Sequence, residues 1–61
     1  MRDHAVILYK LLREYRRISI GRIAEEMEIS EPTARRWVDS FSCVFPIRME
    51  SGIVIVDKKL K

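Results

Sequence analysis

Two amphipathic helical patterns in this chain meet across only two residues, Glu28 and Ile29, a gap that leaves room for nothing but a tight turn between packed helices. On the near side Ser19 offers an N-cap, and Ile20, Ile23, Ala24 and Met27 fall at i, i+3, i+4 and i+7. On the far side Ser30 is a second cap. Pro32 lies in the first turn, where a missing amide hydrogen costs nothing, and Ala34, Trp37, Val38 and Phe41 repeat the same spacing. With Ile29 turned into the core, the segment reads as a helix-turn-helix, its helices at about 20–27 and 31–42.

The same spacing occurs once more upstream. Asp3 caps a pattern of Ala5, Leu8, Tyr9 and Leu12, widened by Ile7, Leu11 and Tyr15, which predicts a helix over about 3–16. After Phe41 the period shortens to that of strands, Val44 to Met49 and then Ile53 to Val56, around a turn at Glu50-Ser51-Gly52 and before a basic tail at 57–61. This is a hairpin, or wing, over about 44–57. With Gly52 in the left-handed position of a three-residue loop, Met49 faces Ile53 and Ile47 faces Ile55, and these four cover the helices. Arg48, Val54 and Val56 then point away. The two surplus valines, and the broad apolar face of the first helix, predict a homodimer. The expected fold is mainly α with a small β-hairpin (α+β), a winged helix-turn-helix of three helices followed by a two-stranded wing, as a single domain over 1–61.

Length supports one small core: 61 residues bury only about 60% of the unfolded surface. A 48% hydrophobic and 34% charged composition is that of a folded globular protein. No apolar run approaches the ~20 residues of a membrane span, and the start of the chain lacks the pattern of a signal peptide, so a cytoplasmic protein without a membrane partner is expected. A single cysteine, Cys43, excludes an internal disulfide and a cysteine-rich zinc site, and is expected to be a semi-buried, inert thiol. Asn and Gln are absent while Glu, Arg and Ile abound, which suits a thermophilic source. The net charge of +3 favours a polyanionic partner. Its distribution is uneven: Arg2, Lys10, Arg13, Arg16, Arg17 and Arg22 crowd the first part, and Glu25, Glu26, Glu28 and Glu31 the middle.

Drawn at 100° per residue, the third helix puts Ala34, Trp37, Val38 and Phe41 on one side and Pro32, Arg36 and Asp39 nearly opposite, with Thr33, Arg35 and Ser40 on the flanks. Arg36 points outward as a base reader, since arginine bonds guanine through two parallel hydrogen bonds in the major groove. Arg35 is placed for a phosphate, and Ser30, Thr33 and the helix amides for a phosphate clamp. A solvated face with both arginines tied to Asp39 is the competing reading. Arg16, Arg17, Arg22, Arg48, Lys58 and Lys59 are the supporting DNA contacts. Trp37 reads as core, His4 as a surface histidine, and the four glutamates as a solvated helix end. No nucleophile stands beside a base, and no glycine-rich loop or ligand-spaced cluster occurs, so no enzyme, metal, cofactor or small-molecule ligand is expected.

Residues 18–41 resemble the helix-turn-helix of DeoR-type and biotin-repressor-type winged-helix regulators. Ile23-Ala24 match a "Leu-Ala" pair in the first helix of that motif, and residues 29–36 match a "Val-Ser-x-x-Thr-x-Arg-Arg" segment that starts its recognition helix. The resemblance implies that Ser30, Thr33, Arg35 and Arg36 face DNA and that Ile20, Ile23, Ala24, Ile29, Ala34, Val38 and Phe41 hold the core. The chain departs from the pattern twice. Glu28 replaces a small turn residue and must accept an unusual backbone conformation or a different turn. Glu50 puts an acid at the wing tip, leaving Arg48, Lys58, Lys59 and Lys61 as that region's cations. The expected function is a sequence-specific transcriptional regulator that binds double-stranded DNA. A winged-helix protein-protein module in a replication or transcription assembly is the alternative, because the fold serves both.

Overall fold

The computed structural model describes residues 3–60, which form three helices and a three-stranded antiparallel sheet, an α+β fold. Helix α1 (His4–Glu14) begins at Asp3, whose carboxylate accepts from the Val6 amide at 3.2 Å. It stops short of residue 16 because Tyr15 is already extended, at φ −116° and ψ 131°. The chain is drawn there into a strand, β1 (Arg17–Ser19), which no sequence period announces. Ile18 is its one buried residue.

Ser19 ends β1 and caps helix α2 (Ile20–Met27), accepting from the Arg22 amide at 3.1 Å. At the far end Glu28 is left-handed, at φ 57° and ψ 46°. Its amide donates to the Glu25 carbonyl at 3.1 Å and that of Ile29 to Ala24 at 3.0 Å, the paired bonds with which a helix stops on a left-handed residue. Ile29 follows, half-buried against the core. Ser30 then caps helix α3 (Glu31–Ser42).

After α3 the chain turns through residues 43–46, so Val44 is 74% exposed rather than part of a strand. Strands β2 (Ile47–Glu50) and β3 (Ile53–Val56) are joined by Ser51 at φ 51° and Gly52 at φ 76°. Two consecutive left-handed residues make a two-residue hairpin turn whose twist matches that of the strands. The loop is one residue shorter than the sequence reading assumed, and the register moves with it: Met49 faces Val54 and Ile47 faces Val56. A slip of one residue exchanges the faces of a strand. Val54 and Val56 therefore enter the core, at 0% and 2% exposure, while Ile53 and Ile55 turn outward.

Nor is β3 an edge. β1 pairs along its other side, with Ile18 opposite Val54, giving the order β1-β3-β2. The expected two-stranded wing is thus a three-stranded sheet, and the two valines are covered by the chain itself. Leu8 and Leu12 of α1, Ile23 and Met27 of α2, Val38 of α3 and Val54 of β3 are the largest fully buried side chains. Leu60, at 6% exposure, brings the tail back onto this core.

Candidate nucleic-acid interface

The exposed side of α3 follows from the buried one. Ala34 and Val38 are at 0% and 2% exposure, and the residues rotated away from them, Pro32, Arg35, Arg36, Asp39 and Ser40, are exposed. Arg36 makes no hydrogen bond or ion pair among the described residues, and the Asp39 carboxylate does not reach either arginine. The local tie that would occupy the arginines is absent from their geometry. Arg35 is partly engaged: its Nη1 lies 3.6 Å from the Met49 sulfur, linking α3 to β2.

The start of α3 is less open than its sequence suggests. Ser30 Oγ accepts from the Thr33 amide at 3.4 Å and lies 2.9 Å from Thr33 Oγ1. The Ala34 amide is used by the Ser30 carbonyl, and Pro32 has no amide hydrogen. One hydroxyl hydrogen of the Ser30–Thr33 pair is left to donate outward. The Glu31 carboxylate, 3.5 Å from where a Cβ on Gly21 would stand, adds negative charge at this end. What this end offers an anion is one hydroxyl rather than a cradle of amides.

The supporting cations divide. Arg48 pairs with Glu50 and, at 2.9 Å, with Asp57, so the hairpin's one arginine is neutralised by two carboxylates. Arg22 pairs with Glu26 at 3.4 Å and lies 5.9 Å from the centre of the Tyr15 ring. Arg16, Arg17, Lys58 and Lys59 are exposed. They lie at the other end of the sheet from the hairpin turn, since the Arg16 carbonyl accepts from Val56 and Arg17 faces Ile55. Lys59 lines a hollow with Lys10 and Arg13 of α1, and none of the three touches the hollow beside α3. Arg2 and Lys61 fall outside the described residues.

Two residues stand differently from their sequence readings, while Trp37 is half-buried against the core as expected. His4 is half-buried, its ring edge-on to Trp37 at 5.9 Å, and Trp37 in turn meets Phe41 at 6.4 Å. Cys43 is exposed rather than semi-buried because it caps α3 beyond the last core residue, its thiol 3.6 Å from the Asp39 carbonyl. Sequence reasoning also missed an apolar hollow beside Arg36, lined by Thr33, Trp37, Ser40, Phe41 and Val44. Only the exposure of Val44, set by the turn after α3, opens it, and no period in the sequence marks that turn.

No family model matches the chain, and neither a curated protein nor a solved structure matches it at a significant level. Among the described residues no group of three or more histidine, cysteine or acidic side chains is placed to hold a metal, and no helix is long and apolar enough to cross a membrane. The glutamates of α2 and the turn are spread along exposed positions, with Glu26 engaged by Arg22.

Proposed function

We propose that this protein is a winged helix-turn-helix transcriptional regulator that binds specific double-stranded DNA by laying α3 in the major groove. The observation that carries the reading is Arg36: exposed, opposite the buried Ala34 and Val38, and without a protein partner among the described residues. An α-helix fits the major groove, and an unengaged arginine near its middle is suited to guanine. Arg35 and the Ser30–Thr33 pair fix the helix against phosphates, while Pro32 and Ser40 border the groove. Arg48, held by two carboxylates, has no part in the contact, so the hairpin positions α3 rather than reading DNA.

A homodimer remains part of the proposal on the α1 face alone, where Val6 is 45% and Tyr15 39% exposed and Ile7 and Leu11 are half-buried. Light scattering behind a sizing column tests it, and a monomer of 7.3 kDa at every concentration removes it. The regulator acts in the cytoplasm, where the DNA is, and needs no cofactor.

The apolar hollow beside Arg36, with Val44 at its rim, favours a second reading in which α3 docks against another protein. Selection from a random pool of duplex DNA separates the two. A regulator enriches one motif and binds it with a steep salt dependence, about 0.9 log units per log unit of salt for each phosphate neutralised. Absence of an enriched motif rejects the regulator.

A further inference from the structure

The α3 interface leaves a second group of cations unused. Lys10 and Arg13 lie one turn apart on α1; with Leu8 and Leu12 directed at the core, a rotation of 100° per residue puts Lys10 opposite the core and Arg13 beside it. The tail comes to meet them. Leu60 is anchored at 6% exposure, and this places Lys59 in one open hollow with Lys10, Arg13 and Glu14. Residues 49 positions apart in sequence, Lys10 and Lys59, are joined there by folding alone.

None of the four charged residues has a hydrogen bond or ion pair among the described residues. Glu14 follows Lys10 by four positions, the order in which a helical pair gives less stabilisation, and it leaves three cations facing one carboxylate. The neighbouring surface carries the same sign. Arg16, just before β1, and Arg17, its first residue, lie beside the end of β3, from which the tail with Lys58 continues. Asp57, the acid nearest in sequence, is taken by Arg48. Like charges gathered in excess of the one carboxylate beside them repel one another and concentrate anions from solution.

We propose that the Lys10–Arg13–Lys59 hollow is a second nucleic-acid site, which takes the phosphodiester backbone without reading bases and is separate from α3. Its cations come from α1 and the tail, and it shares no lining residue with the hollow beside Arg36. A chain with one base-reading helix and one backbone site holds a duplex twice or bridges two segments of it.

Fluorescence anisotropy with a labelled random-sequence duplex across a salt series tests this. It compares the wild type with Arg35→Ala/Arg36→Ala, Lys10→Ala/Arg13→Ala/Lys59→Ala and the combination. All five positions are exposed, so the fold is retained. The α3 double variant keeps sequence-blind, salt-sensitive binding. The triple variant flattens the slope of log affinity against log salt by up to about 2.7, and the combination binds more weakly than either, with only the shallow slope left by Arg16, Arg17 and Lys58. Lys10→Arg/Lys59→Arg retains the wild-type slope, since only charge is required. A triple variant with wild-type affinity and slope overturns the proposal, as does an α3 double variant with no binding at low salt. If no motif is enriched from a random pool while the triple variant still flattens the slope, the regulator reading falls and the backbone site stands.

Discussion

Arg35 and Arg36 are adjacent in sequence but differ in surroundings, and the difference sets what each loses on truncation. Arg36 has no protein partner among the described residues, so in the proposed complex Arg36→Ala removes a base contact and nothing within the protein. It is expected to cost about 1–3 kcal/mol on the selected site and to relax preference at one base pair. Arg35→Ala also releases the contact with Met49, and is expected to weaken all sequences alike. Titrating both variants against the selected site and its single-base changes checks the pair; equal, sequence-blind losses would refute the division. Glu28 is the other residue with a sharp expectation. A side chain at φ 57° crowds its own backbone, and the position needs a left-handed residue to end α2. Glu28→Gly is expected to raise stability by about 1 kcal/mol despite losing the glutamate's own interactions, which in a domain this size moves the thermal midpoint up by roughly 4–8 °C. That Glu28 would take either an unusual conformation or a different turn followed from the resemblance, which puts a small residue at this position. That it takes this one, with the paired bonds to Ala24 and Glu25, required the folded backbone.

Among the elements, the helices and the hairpin announced themselves, while the third strand and the hairpin register did not. Ser19 and Ser30 cap α2 and α3 where their residue type and position predict, because a cap acts within one turn and its signal is local. The strands depend on partners. β1 is three residues, two of them polar, and becomes a strand only because β3 offers it backbone groups. The hairpin register depends on whether Ser51 accepts a positive φ, which the serine itself does not signal. Two substitutions read that register in solution. Val54→Thr keeps the shape and buries a hydroxyl, with an expected cost of about 1–3 kcal/mol, whereas Ile53→Thr on the outer face is expected to fall within roughly 0.5 kcal/mol of the wild type. Denaturant unfolding of both checks the expectation. The reverse order of costs would restore the three-residue loop.

At the scale of the whole molecule, one small core carries everything, and a domain of this length has about 3–9 kcal/mol of stability to lose. Leu60 is part of that core although it lies in a tail whose composition reads as a solvated basic end. Leu60→Ala is expected to cost about 2 kcal/mol or more and to release Lys59 from α1. Thermal unfolding would show the loss of stability, and the salt slope of duplex binding the loss of the second site. An unchanged midpoint would mean that the tail does not pack. The fold also explains why charge reads differently in space than along the chain. Arg48 is removed from the basic balance by Glu50 and Asp57, while Lys10, Arg13 and Lys59 are gathered from the two ends of the described chain.

Sequence alone determined what is decided within a turn or two of helix: the caps at Asp3, Ser19 and Ser30, the buried faces of the three helices, the tight turn at Glu28, and the outward direction of Arg35 and Arg36. Only the tertiary structure decided the third strand, the face on which Val54 and Val56 lie, the pairing of Arg48 and the docking of Leu60. The physical reason is range. A helix satisfies its backbone from residues four positions away, and its sequence pattern is complete in itself. A strand borrows its hydrogen bonds, and an exposed cation its neighbours, from parts of the chain that only folding brings near.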